Sequence, residues 1–370
     1  MKLLVITQKV NKNDSNLGFF HEWLLRLAGQ VEKLTIICLE KGEYNLPDNV
    51  QVLSLGKNIK YQISNIKFIC QLKYLFRFYK YIWKFRKEYD AVFVHMNPEY
   101  CILGGVFWRL WHKKVLLWYT HKTVNLRLRL GVLFANKVFT ASKESFRLRS
   151  KKVEAVGHGI DVGLFSKQQW TPHNVSPSPQ PGEIALLWIG RVTLSKDPEV
   201  AICAIANLKK TVTQPVHLSV VGEPITRPDM EYYKKIEKMS VEFNINNKES
   251  GAGFIHQKIV YNEMPRLYQK HHIFLHTSRT GSMDKVVLEA MAAGRIVVTS
   301  SEAYADLAKK GLVYAFPAGN HLELAKTIEE IFNSGIIKQI PNQAAIEYVR
   351  QNHDLDALVS KILAYFSSQL

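Results

Sequence analysis

Short apolar runs rich in β-branched residues alternate with helical stretches along the whole chain, and this alternation constrains the fold more than any other feature. The runs are LLVIT (3–7), LTIICL (34–39), AVFVH (91–95), VLLWY (115–119), KVFTA (137–141), VEAV (153–156), IALLWI (184–189), HLSVV (217–221), IFLH (273–276) and IVVTS (296–300). Continuous apolar strands with helices between them are typical of parallel sheets covered on both faces. The sequence therefore predicts an α/β protein with two Rossmann-like domains.

A segment rich in proline and serine separates the two series of runs. Residues 166–183 read SKQQWTPHNVSPSPQPGE, which is typical of an extended linker. We predict an N-terminal domain at 1–165, this linker at 166–183, a C-terminal domain at 184–345 and a C-terminal helix at 346–370. We expect the helix to pack back on the N-terminal domain. A length of 370 residues suits two domains.

Several classes of protein are disfavoured by missing motifs. Neither first strand is followed by GxGxxG, which argues against an NAD or FAD enzyme despite the Rossmann-like pattern. The four cysteines lie far apart without a CxxC pair, which argues against a zinc site and a disulfide framework. We expect them to be small core residues: Cys38, Cys70, Cys101 and Cys203.

The hydrophobic runs are all short. The apolar start MKLLVIT (1–7) is too short for a signal peptide, and no run reaches the roughly 20 residues that span a bilayer. We therefore expect a cytoplasmic protein that lies peripherally at the inner face of the membrane.

Positive charge is concentrated in the first half of the chain. Residues 1–170 hold 28 Lys and Arg against 12 Asp and Glu (28 − 12 = +16), whereas residues 171–370 hold 21 against 20 (21 − 20 = +1). The densest stretch, residues 57–87, has nine basic residues, nine aromatic residues and no acid. Such an asymmetry predicts an anionic partner for the first half.

Within residues 57–87, apolar and basic residues each recur at helical spacing. On one helix they would form two stripes about 140° apart. The apolar stripe is Phe68, Leu72, Leu75, Tyr79 and Ile82, and the basic stripe is Lys73, Arg77, Lys80, Lys84 and Lys87. Two interpretations stand equally: the apolar stripe packs on the protein's own sheet, or the helix rests on an anionic membrane with its aromatic edge of Phe76, Tyr81, Trp83 and Phe85. Nucleic acid ranks lower because no zinc-finger, RNP-like or basic heptad pattern is present.

Two segments after strands of the second half carry the residue types that bind phosphate and sugar. In the first, GRVTLSKDP (190–198), Gly190 allows close approach at the strand end, and Arg191 and Lys196 precede a helix start marked by Asp197 and Pro198. Two cations beside a helix N-terminus suit a diphosphate, although a solvated loop is an equal alternative.

The second segment is HTSRTGSMDKVVLEAMAAGRIVVTSS (276–301), in which a polar loop leads to a helix that Asp284 caps and Gly294 ends. Glu289 sits among apolar residues on that helix, so its carboxylate needs hydrogen-bond donors, and a ribose diol supplies two. The alternative is a glutamate on the wet face of the helix.

In this order and spacing, IGRVTLSKDPEVAICAIANL, VVGEP (220–224) and LHTSRTGSMDKVVLEAMAAGRIVVTS resemble the donor half of a GT-B glycosyltransferase of family 4, the retaining nucleotide-sugar group. VGHGIDVGLF (156–165) is similar to the segment that closes the N-terminal domain in that family. The resemblance implies two domains facing each other across a cleft. It also implies that Arg191 and Lys196 hold the donor diphosphate, that Glu289 holds the ribose, and that Gly222 and Glu223 lie near the nucleoside, with residues 254–256 framing the base.

One departure from the family concerns the donor sugar. The family has two glutamates separated by seven residues, and Gly281 stands at the first position here. Ser282, Met283, Asp284 and Lys285 replace the usual small and aromatic residues. Asp284 or Lys285 then supplies the missing polar contact, or the donor sugar is unusual, or the activity is lost. Ser282 is expected to bind the donor beside them.

On the acceptor side we expect residues at the ends of strands in the first half. Gly18 lets the first loop approach the donor phosphates, and His21 follows in a helix. His95 and His121 each end a strand, so both are expected to point towards the cleft, although histidines at strand ends more often serve as structural hydrogen-bonding groups. His121 is the better candidate, because similar enzymes have a histidine in this region that contacts the donor sugar or its phosphate.

The resemblance implies a retaining glycosyltransferase that moves a hexose from a UDP- or GDP-sugar to a hydroxyl of a glycan or lipid-linked acceptor in cell-surface polysaccharide synthesis. The leaving diphosphate takes the acceptor's proton, and Arg191, Lys196 and the helix N-terminus stabilise its charge. We expect no metal or other cofactor and no nucleic-acid partner. The alternative is a non-catalytic protein on the same fold that binds sugar nucleotides or glycans.

Overall fold

The computed structural model describes residues 1–57, 67–167, 182–243, 245, 253–255 and 259–368; for residues 67, 68 and 253–255 it describes the backbone alone. The chain forms two compact units, Met1–Gly159 with Asp354–Leu370, and Ile160–His353. Each unit contains a parallel sheet with helices beside it, which confirms the predicted α/β fold class. No helix among the described residues has the length and apolar content to cross a bilayer.

The sheet of the first unit has seven parallel strands in the order β3-β2-β1-β4-β5-β6-β7. They are β1 (Lys2–Val10), β2 (Lys33–Lys41), β3 (Val50–Ser54), β4 (Ala91–His95), β5 (Lys114–Trp118), β6 (Lys137–Thr140) and β7 (Val153–Ala155). Apolar runs predict all of them except β3. That strand is only half-buried at the sheet edge, so its sequence VQVLS lacks a continuous apolar run.

Helices cover both faces of this sheet. They include α1 (Phe19–Ala28), α2 (Lys67–Lys84), α3 (Pro98–Leu110) and α4 (Leu126–Phe134). On one face α1 shares an apolar core with the last helix of the chain, whose Leu358 and Ile362 lie in the same cluster as Trp23. On the other face α2, α3 and α4 bury Phe78, Trp108 and Leu128 among β-strand side chains. The first unit is therefore a sheet between two helical layers.

Only part of the predicted apolar stripe of helix α2 faces its sheet. Ile82 of the predicted apolar stripe is buried and Leu72 of the same stripe is exposed, while Phe78, outside the stripe, is also buried. Phe85, directly after the helix, is buried as well. Arg77 of the predicted basic stripe points inward and donates to the Leu55 carbonyl at 2.9 Å. Nothing is described for residues 58–66 of this segment.

The second unit contains six parallel strands in the order β10-β9-β8-β11-β12-β13. They are β8 (Ile184–Ile189), β9 (Val216–Val221), β10 (Gly253–Ile255), β11 (Ile273–His276), β12 (Ile296–Thr299) and β13 (Tyr314–Ala315). Its helices are α5 (Val162–Ser166), α6 (Pro198–Thr211), α7 (Arg227–Glu242), α8 (Met264–Gln269), α9 (Lys285–Ala292), α10 (Ala305–Lys309), α11 (His321–Asn333) and α12 (Gln343–His353), with short 3-10 turns at Tyr261–Glu263, Glu302–Tyr304 and Ile336–Gln339.

The domain limits differ from those predicted at two places. Helix α5 belongs to the second unit, because the Phe165 ring packs edge-on against Tyr261 and Tyr268 with centroids 5.7 and 5.8 Å away. The units therefore divide between Gly159 and Ile160, before the predicted linker at 166–183. Residues 168–181 of that linker lie outside the described residues.

At the C-terminus the single predicted helix is two helices, α12 in the second unit and α13 (Leu355–Ser367) in the first. Asp354 causes the break, because its carboxylate caps α13 by accepting from the Ala357 amide at 3.0 Å. Helix α13 packs beside α1, so the last part of the chain lies on the N-terminal unit as expected.

Candidate functional site

The carboxyl ends of β8 and β9 approach each other more closely than any side chain would allow. A Cβ atom built on Gly222 would lie 1.8 Å from the Gly190 carbonyl oxygen. The Gly190 amide donates to the Val221 carbonyl at 3.1 Å, and the Val192 amide donates to the Glu223 carbonyl at 3.2 Å. Glycine is therefore required at 222, and the two predicted donor-side loops leave the sheet side by side.

The loop from β8 to α6 ends in a left-handed turn at Asp197, with φ 51° and ψ 55°. Asp197 occupies the N-cap position, but its carboxylate does not cap the helix. Instead it accepts from Arg279 Nε at 2.5 Å. Burial raises the pKa of Asp197, and the Arg279 guanidinium partly offsets that rise. The predicted capping role of the Asp197 side chain is therefore wrong, and a salt bridge between two loops takes its place.

Further contacts join the 190–197 loop to the 277–284 loop. The Arg279 amide donates to the Ser195 carbonyl at 2.9 Å. The Thr277 hydroxyl lies 2.9 Å from the Lys196 carbonyl and 2.7 Å from the Asp197 carbonyl, and it accepts from Trp188 Nε1 at 2.9 Å. The two sequence segments singled out for phosphate and sugar binding thus form one structure beyond the strands β8 and β11.

Lys196 points to the start of α9. Its ammonium forms a salt bridge with the Asp284 carboxylate, and the His276 Nε2 atom lies 2.8 Å from the same Asp284 Oδ2 atom. The other nitrogen of His276, Nδ1, is 2.8 Å from the Thr299 hydroxyl. Burial would raise the pKa of Asp284, but the His276 hydrogen bond and the Lys196 charge hold it far below its usual range. Asp284 is therefore a partly buried anion that contacts both Lys196 and His276.

A row of hydroxyl groups leads to the second oxygen of Asp284. The Ser278 and Thr280 hydroxyls lie 2.9 Å apart, and the Thr280 and Ser282 hydroxyls lie 2.7 Å apart. Ser282 then donates to Asp284 Oδ1 at 3.1 Å. Asp284 is at the N-cap of α9, as predicted, but its carboxylate makes these side-chain contacts rather than a cap hydrogen bond.

Glu289 is fully buried on α9, with 1% of its surface exposed. Its carboxylate accepts from Lys285 Nζ at 2.5 Å and from the Tyr268 hydroxyl at 3.2 Å. The Lys285 ammonium also lies over the Tyr261 ring, 4.7 Å from its centroid. The donors that a buried carboxylate needs are therefore present within the protein, and the wet-face alternative for Glu289 is wrong.

Gly281 adopts a left-handed backbone conformation with φ 61°. A glutamate at this position would be strained, because side chains with a Cβ atom rarely adopt that φ. The conformation of this loop therefore favours glycine at 281, and Asp284 is the carboxylate that the loop presents to Lys196.

The remaining residues of the predicted donor side are more open. The Arg191 side chain is exposed, and Glu223, Ser282 and Lys285 are half-buried. For residues 254 and 255 the structure describes only the backbone of β10, and residue 256 lies outside the described part. Arg279 and His276 were not predicted as site residues; both lie within the quoted 276–301 segment, but only spatial proximity links them to Asp197 and Asp284.

In the first unit, two of the predicted acceptor-side residues are buried. The His95 ring stacks on Phe20 at a centroid distance of 3.8 Å, and its Nδ1 atom is 3.2 Å from the Thr7 hydroxyl. Burial lowers the pKa of His95 to about 3. His21 is buried on α1, and its Nε2 atom accepts from the Asn45 amide at 3.1 Å. Neither ring points into solvent, and the expectation that His95 points towards the cleft stays a prediction.

Gly18 and His121 have different surroundings. A Cβ atom on Gly18 would lie 2.4 Å from the Asp14 carbonyl oxygen, so the turn before α1 requires glycine for its own packing. His121 follows β5 in an exposed loop, where its ring meets Tyr119 edge-on at 5.5 Å. Of the three predicted histidines, only His121 is available to a substrate.

Comparison with known proteins gives a family match for part of the chain and a similar fold for the whole chain. Residues 172–351 match the family described as Glycosyl transferases group 1. The lipopolysaccharide core biosynthesis mannosyltransferase LpcC of Rhizobium leguminosarum bv. viciae is 24% identical over 220 residues, which are 58% of this chain and 59% of that protein. The alignment thus spans less than two thirds of the relative's length.

Solved structures resemble the chain from end to end. Anabaena HepE in complex with UDP and glucose has a TM-score of 0.74 at 16% identity, with 100% of both chains covered. WaaG, a glycosyltransferase involved in lipopolysaccharide biosynthesis, has a TM-score of 0.68 at 14% identity, with 98% of this chain and 99% of that chain covered. Residues 172–351 therefore resemble a glycosyl transferases group 1 domain, and the chain has the fold of these solved structures, which confirms the predicted fold class.

Proposed function

We propose that the protein transfers a hexose from a nucleoside diphosphate sugar to a hydroxyl group of a glycan or lipid-linked acceptor. The observation that carries the proposal is the joined pair of loops beyond β8 and β11, which holds Arg279 at the N-terminus of α6 and Lys196 at the N-terminus of α9. Arg191 is exposed in the first of these loops. Ligands of parallel α/β sheets bind beyond the carboxyl ends of the strands, and cations at a helix N-terminus suit a diphosphate. The UDP and glucose bound by HepE support the same ligand class.

In this mechanism the charge of the leaving diphosphate is stabilised by protein groups. The Lys196 ammonium binds a phosphate oxygen, either in place of Asp284 or together with it. Arg191 supplies a second cation from the exposed side. Asp284 and His276 position the lysine at the start of α9. The acceptor's proton passes to the departing diphosphate, and the anomeric configuration is retained. Retention and the assignment of His121 to the sugar or its phosphate rest on the resemblance to family 4 glycosyltransferases.

The acceptor belongs to the synthesis of a cell-surface polysaccharide or lipopolysaccharide in this proposal. LpcC and WaaG are named for lipopolysaccharide biosynthesis, and residues 1–170 carry the net charge of +16 that would meet anionic lipid or carrier phosphates. We propose that the first unit binds the acceptor at the inner face of the membrane. The protein cations are proposed to neutralise the diphosphate without a metal or other cofactor.

A panel of UDP- and GDP-sugars tests the proposal by thermal shift and by product analysis. A bound donor stabilises the fold by mass action, and NMR of the product reports the anomeric configuration. Arg191→Ala with Lys196→Ala should abolish turnover, whereas Lys210→Ala, an exposed cation at the far end of α6, should leave it unchanged. Donor binding without any transfer would favour the non-catalytic alternative, and no binding of any donor would contradict both.

A further inference from the structure

Helices α2, α3 and α4 expose an unusual number of apolar side chains on their outer faces. Of the fifteen large apolar side chains that are exposed among the described residues, nine lie on these helices: Ile69, Leu72, Phe76, Trp83, Val106, Leu110, Leu126, Leu130 and Leu133. We call these nine residues the outer helical surface. Monomeric proteins rarely expose large contiguous apolar patches, and those that exist mark interaction sites.

Helix α4 shows most clearly that this surface is not a covered core. Leu128 and Val132 point to the sheet and are buried. Leu126, Leu130 and Leu133 follow the i, i+4, i+7 spacing of a second face, and Leu126 is 69% exposed. A helix that covers a sheet normally has polar residues on its outer face. Helix α4 differs, because it has leucines on the outer face as well as on the face that packs on the sheet.

Direct contacts join the three helices into one surface. Arg109 of α3 donates from Nη2 to the Leu133 carbonyl of α4 at 2.5 Å. Trp83 of α2 meets the rings of Phe107 and Trp111 edge-on, with centroids 6.2 and 5.5 Å away. The exposed apolar residues of α2, α3 and α4 therefore lie on neighbouring helices of one layer.

Basic residues are interspersed with the outer helical surface. Residues 67–87 contain seven Lys and Arg and no acid, and α4 carries Arg127 and Arg129 without an acid. The exposed cations of α2 include Lys73, Lys80 and Lys84, which alternate along the helix with Phe76 and Trp83. A second copy of this chain would bring like charges together. An anionic lipid bilayer offers both an apolar interior for the leucines and phosphates for the lysines.

We propose that the outer helical surface docks on an anionic lipid bilayer, with the α3 and α4 aliphatic residues at the acyl boundary and the α2 cations at the headgroups. The site is larger than the basic segment 57–87 that the sequence indicates, because α3 and α4 provide five of its nine apolar residues. Helix α4 begins directly after the loop that holds His121. If the proposed function holds, docking brings this acceptor-side loop to the membrane and selects an acceptor carried on a lipid.

Vesicle sedimentation tests the docking. The full chain should sediment with vesicles of phosphatidylcholine and phosphatidylglycerol, and far less with phosphatidylcholine alone. The triple variant Leu126→Ser, Leu130→Ser, Leu133→Ser should bind at least about tenfold more weakly, because it removes buried apolar area. The matched control Met230→Ser, Val241→Ser, Leu322→Ser changes exposed apolar residues of the second unit and should bind as the unmodified chain does. Circular dichroism melting verifies that both variants fold.

Three results would overturn the docking: no binding to anionic vesicles, equal binding of the α4 variant, or a dimer in analytical ultracentrifugation that the α4 variant disrupts while vesicles stay unbound. Strong duplex DNA binding without vesicle binding would equally contradict it. A donor turnover assay in the same preparations separates the two proposals, because vesicle binding without sugar transfer retains the docking and rejects the proposed function. Transfer to a vesicle-borne acceptor should fall in the α4 variant, whereas donor binding should not change.

Discussion

The two units place a histidine at the end of equivalent strands and give it opposite surroundings. His95 ends β4, which pairs with the first strand β1, and His276 ends β11, which pairs with β8, the first strand of its sheet. His95 lies between Phe20 and the Thr7 hydroxyl, and burial lowers its pKa to about 3. His276 lies between the Thr299 hydroxyl and the Asp284 carboxylate, which also binds Lys196.

The difference shows that the carboxyl end of a parallel strand does not by itself make a functional residue. The residue packed over the strand end decides: an aromatic ring from α1 encloses His95, whereas an ionised side chain from the start of α9 engages His276. The first unit has an apolar strand end and an apolar outer helical surface. The second unit has charged, hydrogen-bonded loops at the corresponding position, which suit a polar small molecule.

The largest loss of stability is expected from a substitution that forces apart the backbones of β8 and β9, which support the loops of the second unit. Gly222→Ala places a Cβ atom 1.8 Å from the Gly190 carbonyl oxygen, and backbone atoms there cannot shift as a flexible side chain would. We expect the free energy of unfolding to fall by about 3 kcal/mol. Urea denaturation measures it.

Gly311→Ala is the matched control, because Gly311 also has a positive φ, of 70°, but has open space around its Cβ position. It should cost about 1 kcal/mol. Equal losses for the two variants would show that close approach of β8 and β9 is not what requires Gly222.

A smaller effect is expected when Asp284 loses its charge. Asp284→Asn leaves Lys196 partly buried without its anion, which should lower the free energy of unfolding by about 2 kcal/mol at pH 7. Because the folded-state pKa of Asp284 is depressed, the stabilisation is fully present above its unfolded pKa of about 3.9 and is lost as pH falls below it.

The difference between the unmodified chain and Asp284→Asn should thus stay constant from pH 7 to pH 5 and shrink below about pH 4. Denaturant titrations at these pH values measure it. A difference that grows on acidification would contradict an ionised Asp284 in the folded protein.

The smallest effect is expected from His95→Phe at pH 7, about 1 kcal/mol, because only the hydrogen bond to Thr7 is lost. The pH dependence of stability should show a second effect of His95. The pKa of His95 is lower in the folded than in the unfolded state, so the unfolded chain binds the proton first and stability falls as pH drops below about 6.5.

The phenylalanine variant lacks this His95 contribution, so its unfolding free energy should fall less between pH 7 and pH 5 than that of the unmodified chain. Urea midpoints at the two pH values provide the comparison. Identical pH dependence would show that His95 is not a buried neutral histidine. Donor turnover should be unchanged, in contrast with substitutions at Lys196.

Much of the fold can be predicted from the sequence, because local patterns determine it. Apolar runs mark every central strand, whereas β3, β10 and β13 are edge strands of two to five residues that lack such a run. The break before α13 also has a local cause, the Asp354 cap, but it interrupts an apolar spacing that reads as one helix. Side-chain surroundings are not local: Phe20 and His95, or Lys196 and Asp284, are 75 and 88 residues apart.

The candidate site was predictable in its segments but not in its pairings. Residue types and helix starts indicate the loops that contain Lys196 and Asp284, and the resemblance to a family indicates a donor. The contacts of Asp197 with Arg279 and of Glu289 with Tyr268 could not be deduced, because these residues meet only in the folded unit. The pair of Lys285 and Glu289 is local, since the two residues lie four apart on one helix.

Calorimetric titration of a nucleoside diphosphate tests most directly whether the second unit's loops bind the donor through Lys196. UDP and GDP are titrated into the full chain, into Lys196→Met and into the control Lys210→Met. Loss of one charge-assisted hydrogen bond should weaken the favoured nucleotide by at least about tenfold in Lys196→Met, with no change in the control. Equal affinities for the Lys196→Met variant and the unmodified chain would contradict the account.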